Sequence, residues 1–318
     1  MDVVALGELL IDFTDNGVSG QGNPIFEANP GGAPCNVLSC LQKLGHPTAF
    51  IGKVGKDSFG KLLEVAVKEQ GICTEGLLFD EEVPTTLAFV HTKQDGDRDF
   101  SFCRNPGADM MLGKEEVSRE LIQSAKIFHF GSLSMTSERA EAATKYAVET
   151  AKANGTLVSF DPNLRPPLWK NLQMAKEKIQ YGLSQCDILK ISDNEVEFMT
   201  GEKDIEKGVQ ELLKEYHIPL VCATMGRDGS KAFCRGSIAI GEPFHSEKTV
   251  ETTGAGDTFC GCMLHFVLQH GLDGFTQESL QEMLSFANAA ACLVTTKKGA
   301  LRVMPSIKEI EGFRRENG

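Results

Sequence analysis

Basic residues are in short supply. Lysine and arginine total 32 against 44 aspartates and glutamates, a formal net charge of −12 over 318 residues. Nucleic acid and anionic membranes need the opposite balance, so neither is expected as a partner. No apolar run approaches the length of a membrane span. The opening Met1-Asp2-Val3-Val4 puts an acid where a secretory signal carries base. The ten cysteines include no Cys-x-x-Cys pair, and most sit in apolar stretches such as Val221-Cys222-Ala223. Reduced, buried thiols in a cytoplasmic protein are expected, rather than disulfides or zinc. The seven histidines form no His-x-x-x-His pair, which argues against a helical zinc site. A P-loop is excluded, because no Gly-x-x-x-x-Gly-Lys-Ser/Thr run occurs. Neither an internal repeat nor a low-complexity linker divides the chain.

What is present is an ordinary globular composition, 41% apolar and 24% charged, in a chain long enough to bury a large core. Apolar runs and turn residues predict a strand at 3–6, turns and extended chain over 14–31, a helix at 34–44 and a strand at 48–54. A helix follows between Asp57 and Gly71. Thr85–Thr92 and Arg98–Cys103 read as strands joined at Asp95-Gly96, a hairpin set into an otherwise alternating pattern. Four helix–strand pairs come next: 114–124 with 126–130, 137–153 with 156–160, 170–184 with 187–191, and 203–216 with 219–223. Helices near 256–271 and 278–295 close the pattern. Short, fully apolar strands alternating with helices predict a doubly wound α/β domain whose parallel sheet is covered on both faces. Ligands of such sheets sit beyond the carboxyl ends of the strands.

The segment with the clearest chemistry is Thr252-Thr253-Gly254-Ala255-Gly256-Asp257-Thr258-Phe259, a strand-like approach followed by a helix start. Small residues there expose backbone N–H groups, and the helix N-terminus adds partial positive charge, which together make an anion site. Asp257 beside it is placed to take a proton from an incoming hydroxyl, the pairing that phosphoryl transfer needs. Taken alone, Asp257 reads better as a helix cap, since Asp is common at a helix start. A dinucleotide fingerprint fails, since its third glycine position holds Phe259.

These residues resemble the C-terminal motif of the ribokinase-like, or phosphofructokinase-B-type, carbohydrate kinases. Gly31-Gly32-Ala33-Pro34-Cys35-Asn36, Leu44-Gly45 and Gly52–Gly60 resemble the N-terminal one, and the likeness runs from Gly7 to about Pro305. It implies one three-layer α/β/α sandwich over 1–318, with a small β-sheet lid formed by about 12–31 and 85–104. It also implies ATP and magnesium, with potassium as a further possibility, and a homodimer through the lid. Asp257 is then the base and Gly254, Ala255 and Gly256 the anion hole. Asp12, Gly31, Gly32 and Asn36 are expected at the sugar. Asn194 and Glu197 resemble the family's Asn-x-x-Glu magnesium pair, though by themselves they read as a solvated helix face. Thr224, Gly226 and Gly229 resemble the nucleotide loop, alternatively a plain hairpin turn, and Asn288 matches a position near the adenine. Glu251, Thr253, Val294 and Gly299 fall near the monovalent-cation loop; Glu251 departs from the usual Asp, and Val303 from a small polar residue.

Two further runs point to the sugar. Asp161-Pro162-Asn163-Leu164-Arg165 and Phe102-Cys103-Arg104-Asn105-Pro106 resemble fructokinases, with Cys103 and Gly107 as departures. They imply Arg104 and Arg165 at the substrate, although salt bridges to nearby acids would also account for them. The expected reaction is transfer from ATP to D-fructose. Alternatives are a 2-keto-3-deoxygluconate kinase, another sugar or nucleoside kinase, and a catalytically silent sugar-binding regulator.

Overall fold

The computed structural model describes residues 1–92 and 98–317. Strand β1 (Val3–Leu6) leads into the hairpin β2 (Leu10–Val18) and β3 (Pro24–Gly31). Helix α1 (Ala33–Lys43), β4 (Thr48–Gly55), α2 (Ser58–Glu69) and β5 (Cys73–Asp80) follow, then β6 (Leu87–Thr92) and β7 (Arg98–Cys103). The alternating part comprises α3 (Arg119–Gln123), β8 (Ile127–Gly131), α4 (Glu138–Ala153), β9 (Leu157–Asp161), α5 (Leu172–Gln185), β10 (Ile188–Ser192), α6 (Asp193–Thr200), α7 (Ile205–Tyr216) and β11 (Leu220–Thr224). An edge hairpin, β12 (Ser230–Cys234) and β13 (Ser237–Gly241), precedes α8 (Ala255–His270), α9 (Gln277–Val294) and α10 (Ile307–Asn317).

The large sheet has the order β13-β12-β11-β10-β9-β8-β1-β4-β5. Its strands are parallel except for β12 and β13. Burial on both faces explains the apolar runs. Along β1, Val3 and Ala5 pack into one core with α1, α8 and α9, while Val4 and Leu6 pack into the other with α4, α5 and α7. Three layers result, as the sequence implies. The second sheet has the order β3-β2-β6-β7 and stands over the carboxyl ends of the large one. Phe13 of β2 stacks on Phe89 at 4.9 Å and meets Phe59 of α2 edge-on at 5.7 Å, which seats the small sheet on the body.

Several expectations need correction. Residues 14–31 belong largely to the antiparallel pair β2–β3 rather than to turns. The helix expected over 114–124 is broken into a 3₁₀ turn at Lys114–Glu116 and the short α3, because the Ser118 hydroxyl accepts from the Leu121 N–H at 3.3 Å and starts a new helix. Strands β5, β12 and β13 and helix α10 had no counterpart in the reading. The approach to Gly254 is not a strand; the N–H groups of Val250 and Glu251 instead donate to the Thr295 carbonyl at 2.8 and 3.1 Å. Asp95-Gly96 lies outside the described residues. All ten cysteines are free thiols, but Cys103 is exposed, and Cys73 and Cys292 are half-buried. Among the described residues no helix is long and apolar enough to cross a membrane.

Candidate active site

Register places the rim residues side by side. Gly131 pairs with Asp161 at the ends of β8 and β9, and Ser192 pairs with Thr224 at the ends of β10 and β11. Above this rim lies a cleft of about 610 Å³, roofed by Asp12 and Phe102 of the small sheet and by Arg104 just after β7, and floored by Lys190 and the 252–257 loop. A second groove of about 680 Å³ runs along Gly226, Gly229, Ala255 and Asn288. Thr252 lines both, so the anion loop is their common wall.

That loop turns sharply at Gly254, whose φ of 78° is left-handed and whose Cβ would stand 2.6 Å from the Ala300 Cβ. The Gly254 carbonyl accepts from the Thr258 N–H at 2.8 Å and its hydroxyl at 2.7 Å, fixing the first turn of α8. The Ala255 N–H reaches back to the Thr252 carbonyl at 3.3 Å. The amides of Gly256 and Asp257 belong to the first helical turn, where N–H groups have no intrahelical acceptor. Both residues line the cleft.

Asp257 is positioned by the packing of α1 on α8. Gly261 makes this possible, since a Cβ there would stand 2.7 Å from that of Cys40. The contact brings Asn36 Nδ2 to donate to Asp257 Oδ2 at 2.7 Å. Burial raises the Asp257 pKa above the ordinary aspartate value, opposed by the Asn36 hydrogen bond and by the charges of Lys190 and Arg165. Among the described residues nothing hydrogen-bonds to the buried Asn36 Oδ1. A buried acceptor of this kind takes a donor from water or from a ligand.

At the sugar end, Gly31 lets the Asp12 carboxylate lie close to the β3 backbone, its Oδ2 being 2.6 Å from where a Gly31 Cβ would stand. Gly32 and Asp12 line the cleft, whereas Gly31 does not. Arg104 lines it too and is also salt-bridged: its Nη2 is 2.6 Å from Asp109 Oδ2, and it donates to the Leu133 carbonyl at 3.2 Å. Arg165 is exposed at the cleft wall and donates to the Leu164 carbonyl at 3.2 Å.

Of the expected magnesium pair, Asn194 lines the cleft but Glu197 does not. Glu197 is exposed, 3.8 Å from the Lys203 ammonium. The acid of α6 that faces the cleft is Glu195, which accepts from the N–H groups of Leu164 at 2.7 Å and Ser192 at 2.9 Å. No cage of three or more His, Cys, Asp or Glu exists among the described residues. Oxygen donors alone, few of them charged, suit magnesium, which keeps waters and takes phosphate ligands.

In the second groove, Gly226 and Gly229 line the wall while Thr224 lines neither cavity. Gly229 has φ 86°, and a Cβ there would overlap the Gly241 carbonyl oxygen. Asn288 lines the groove, yet its polar atoms bind protein: Oδ1 accepts from Ser230 Oγ at 2.9 Å, and Nδ2 donates to the carbonyls of Gly241 and Glu242 at 3.1 and 3.0 Å. At the expected cation loop, the Glu251 carboxylate accepts from the Gly299 N–H at 2.8 Å, tying 294–299 to the anion loop. Thr253 lines the cleft, and the Val294 side chain is core.

Residues 1–307 match the family profile described as "pfkB family carbohydrate kinase". The chain belongs to this family. It is 41% identical to Fructokinase-2 of Solanum lycopersicum over 309 residues, covering 96% of this chain and 94% of the relative. A crystal structure of fructokinase with bound ATP from Xylella fastidiosa superposes with a TM-score of 0.90 at 30% identity, covering 99% and 98% of the two chains. Fructokinase from Vibrio cholerae O395, in fructose-, ADP- and calcium-bound form, does so at 0.88 and 29%, covering 98% and 99%. This carbohydrate kinase carries further cleft residues that sequence reasoning did not assign: Glu8, Lys190 and Glu195, with Asp161 beside them. Burial pushes the Glu8 carboxyl up to about 7 while it accepts from the Ala33 N–H at 3.1 Å. A signal existed for Lys190: a charge inside Ile188-Leu189-Lys190-Ile191, a strand buried on both faces, must have a partner.

Proposed function

We propose that this chain transfers the γ-phosphoryl group of ATP to the 6-hydroxyl of D-fructose. The observation that carries the reading is the position of Asp257: a half-buried carboxylate beside the amides of the anion loop, where the polar cleft and the second groove meet. Fructose occupies the cleft, its hydroxyls held by Asp12 and by the unpartnered Asn36 Oδ1. ATP lies along the second groove with its γ-phosphate at Gly256 and Asp257. The hydroxyl proton passes to Asp257 as the oxygen bonds to phosphorus and the bond to the ADP oxygen breaks. Asn36 orients the carboxylate through its 2.7 Å hydrogen bond. Magnesium, when bound, would neutralise phosphate charge; Asn194 and Glu195 are the oxygen donors that would hold it.

The likeness to Fructokinase-2 and the fructose-bound neighbour supports fructose. Exposed Ile25 and Phe26 on β3, an edge strand, favour a homodimer through the lid of a cytoplasmic enzyme. Light scattering that returns a monomer removes that part.

The test is ADP release with ATP and magnesium across fructose, 2-keto-3-deoxygluconate, ribose, tagatose and adenosine. Fastest turnover on fructose is expected. Fastest turnover on another acceptor overturns the choice of sugar. Binding of fructose without turnover on any acceptor overturns the kinase reading in favour of a silent binder.

A further inference from the structure

Lys190 is a buried charge that the reaction as described leaves unused. It sits in β10, the middle of the large sheet, and its residue is only 7% exposed. Its ammonium lies 3.3 Å from Asp161 Oδ1 and 3.2 Å from Oδ2. Among the described residues Asp161 is its only hydrogen-bond partner. An ammonium has three donors, and this one hydrogen bond does not use them all. On its other side the ammonium abuts the anion loop: Lys190 Nζ is 3.2 Å from where a Cβ on Gly256 would stand, and both residues line the cleft.

The charges around it give this placement its meaning. The cations lining the cleft are Arg104, held on Asp109, Arg165, exposed at the wall, and Lys190. Beside the loop stand the carboxylates of Asp257, half-buried, and Glu195, buried, with Asp161 behind Lys190. An arriving triphosphate adds more negative charge where the amides of Gly256 and Asp257 supply only partial positive charge. Burial works against the lysine's charge, but Asp161 first, then Glu195, Cys260 and Asp257, outweigh it and hold its pKa above the ordinary lysine value. The ammonium therefore stays protonated at the pH where a kinase works.

We propose that Lys190 is a catalytic residue whose ammonium contacts the non-bridging oxygens of the phosphoryl group in flight, and that Asp161 is the positioning residue that aims it. The step balances without a further reactant. The sugar oxygen bonds to phosphorus, the bond to the ADP oxygen breaks, the hydroxyl proton goes to Asp257, and Lys190 keeps its proton throughout. The contribution is fixed positive charge, set in place before the reaction, where charge moves during transfer. The proposal rests on the kinase reading but not on the choice of fructose, because Lys190 addresses the phosphate.

The experiment uses the full chain with whichever sugar in the panel the wild type turns over. Lys190→Met should lower kcat by about 10²–10³, the loss typical of removing one donor to a developing oxyanion. Separate affinities for sugar and ADP should stay within about threefold, within about 0.7 kcal/mol. Affinity for the ternary complex of ADP, aluminium fluoride and sugar should fall with kcat. Lys190→Met leaves the Asp161 charge buried and unpaired, which can unfold the chain. The double variant Asp161→Asn with Lys190→Met removes both charges and is the decisive form. A kcat still about 10²-fold down in the folded double variant supports the proposal. Recovery to near the wild-type kcat would mean that Lys190 only balances Asp161, and overturns it. Equal losses in ground-state affinity and in kcat overturn it as well. Absence of wild-type turnover on every sugar would instead strike the kinase reading itself.

Discussion

The two cavities that share the anion loop are built differently. The sugar-side cleft is made of ionisable side chains, each held by a partner: Asp257 by Asn36, Arg104 by Asp109, Lys190 by Asp161, Glu8 by the Ala33 amide. The other groove is shaped at one wall by glycine backbone, that of Gly226 and Gly229, with Arg227, His245 and Glu247 also lining it, and its buried Asn288 is spent on holding Ser230, Gly241 and Glu242. On the proposed function, one cavity chooses a sugar by its hydroxyls and moves a proton, and the other admits a flat base and a phosphate chain. Buried side-chain charge suits the first task, and close backbone approach suits the second.

This contrast can be broken at either end. The largest effect is expected at Asp257. Asp257→Asn should lower kcat by about 10²–10⁴ while fructose binding, read by calorimetry, persists. The groove should answer through the nucleotide alone. Gly229→Ala forces a left-handed residue against the Gly241 carbonyl. It should raise the KM for ATP by about tenfold, from about 1–3 kcal/mol of backbone strain, and leave the KM for fructose unchanged.

A subtler test lies in the pH profile. The Asn36 hydrogen bond favours the charged form of Asp257 and so opposes the upward push of burial. Asn36→Leu removes it, so the acid limb of kcat/KM should move to higher pH. An unmoved limb would mean that the hydrogen bond does not tune the base. The smallest effect is expected at Glu8, whose folded pKa of about 7 exceeds its ordinary 4.5. The folded state holds the extra proton between those values, so the Glu8 contribution to stability is present at low pH and declines as pH rises through that window. Glu8→Gln keeps an acceptor for Ala33 without the charge. Its melting temperature relative to wild type should therefore be higher at pH 8 than at pH 5, by on the order of 2 °C.

Much of this was legible in the sequence because it is local. Leu157-Val158-Ser159-Phe160 and Leu220-Val221-Cys222-Ala223 are strands because no other element of that length buries such runs on both faces. Asp257 and the loop before it are contiguous, so they could be read together. The lid hairpin β2–β3 was harder, since Thr14-Asp15-Asn16-Gly17 is polar and its strand is stabilised by pairing with β3 and β6 rather than by burial. The acid of α6 that faces the cleft is not the one the spacing singled out, for a reason of phase. A spacing of three fits both Asn194 with Glu197 and Ser192 with Glu195. The helix settles the choice, because Ser192 Oγ accepts the Glu195 N–H at 3.4 Å and Glu195 Oε2 accepts the Ser192 N–H at 2.9 Å, which turns Glu195 inward. Lys190 and Asp161 lie 29 residues apart on neighbouring strands, a pairing that only the folded sheet creates.

The central claim is that the junction of the two cavities moves a phosphoryl group from ATP to the fructose 6-oxygen. The most direct measurement is phosphorus–proton correlation NMR on the product formed from ATP, magnesium and fructose by the full chain. The account predicts one new phosphate ester, coupled to the protons on carbon 6. An ester on any other oxygen, or ATP consumed with no phosphorylated fructose, would contradict it.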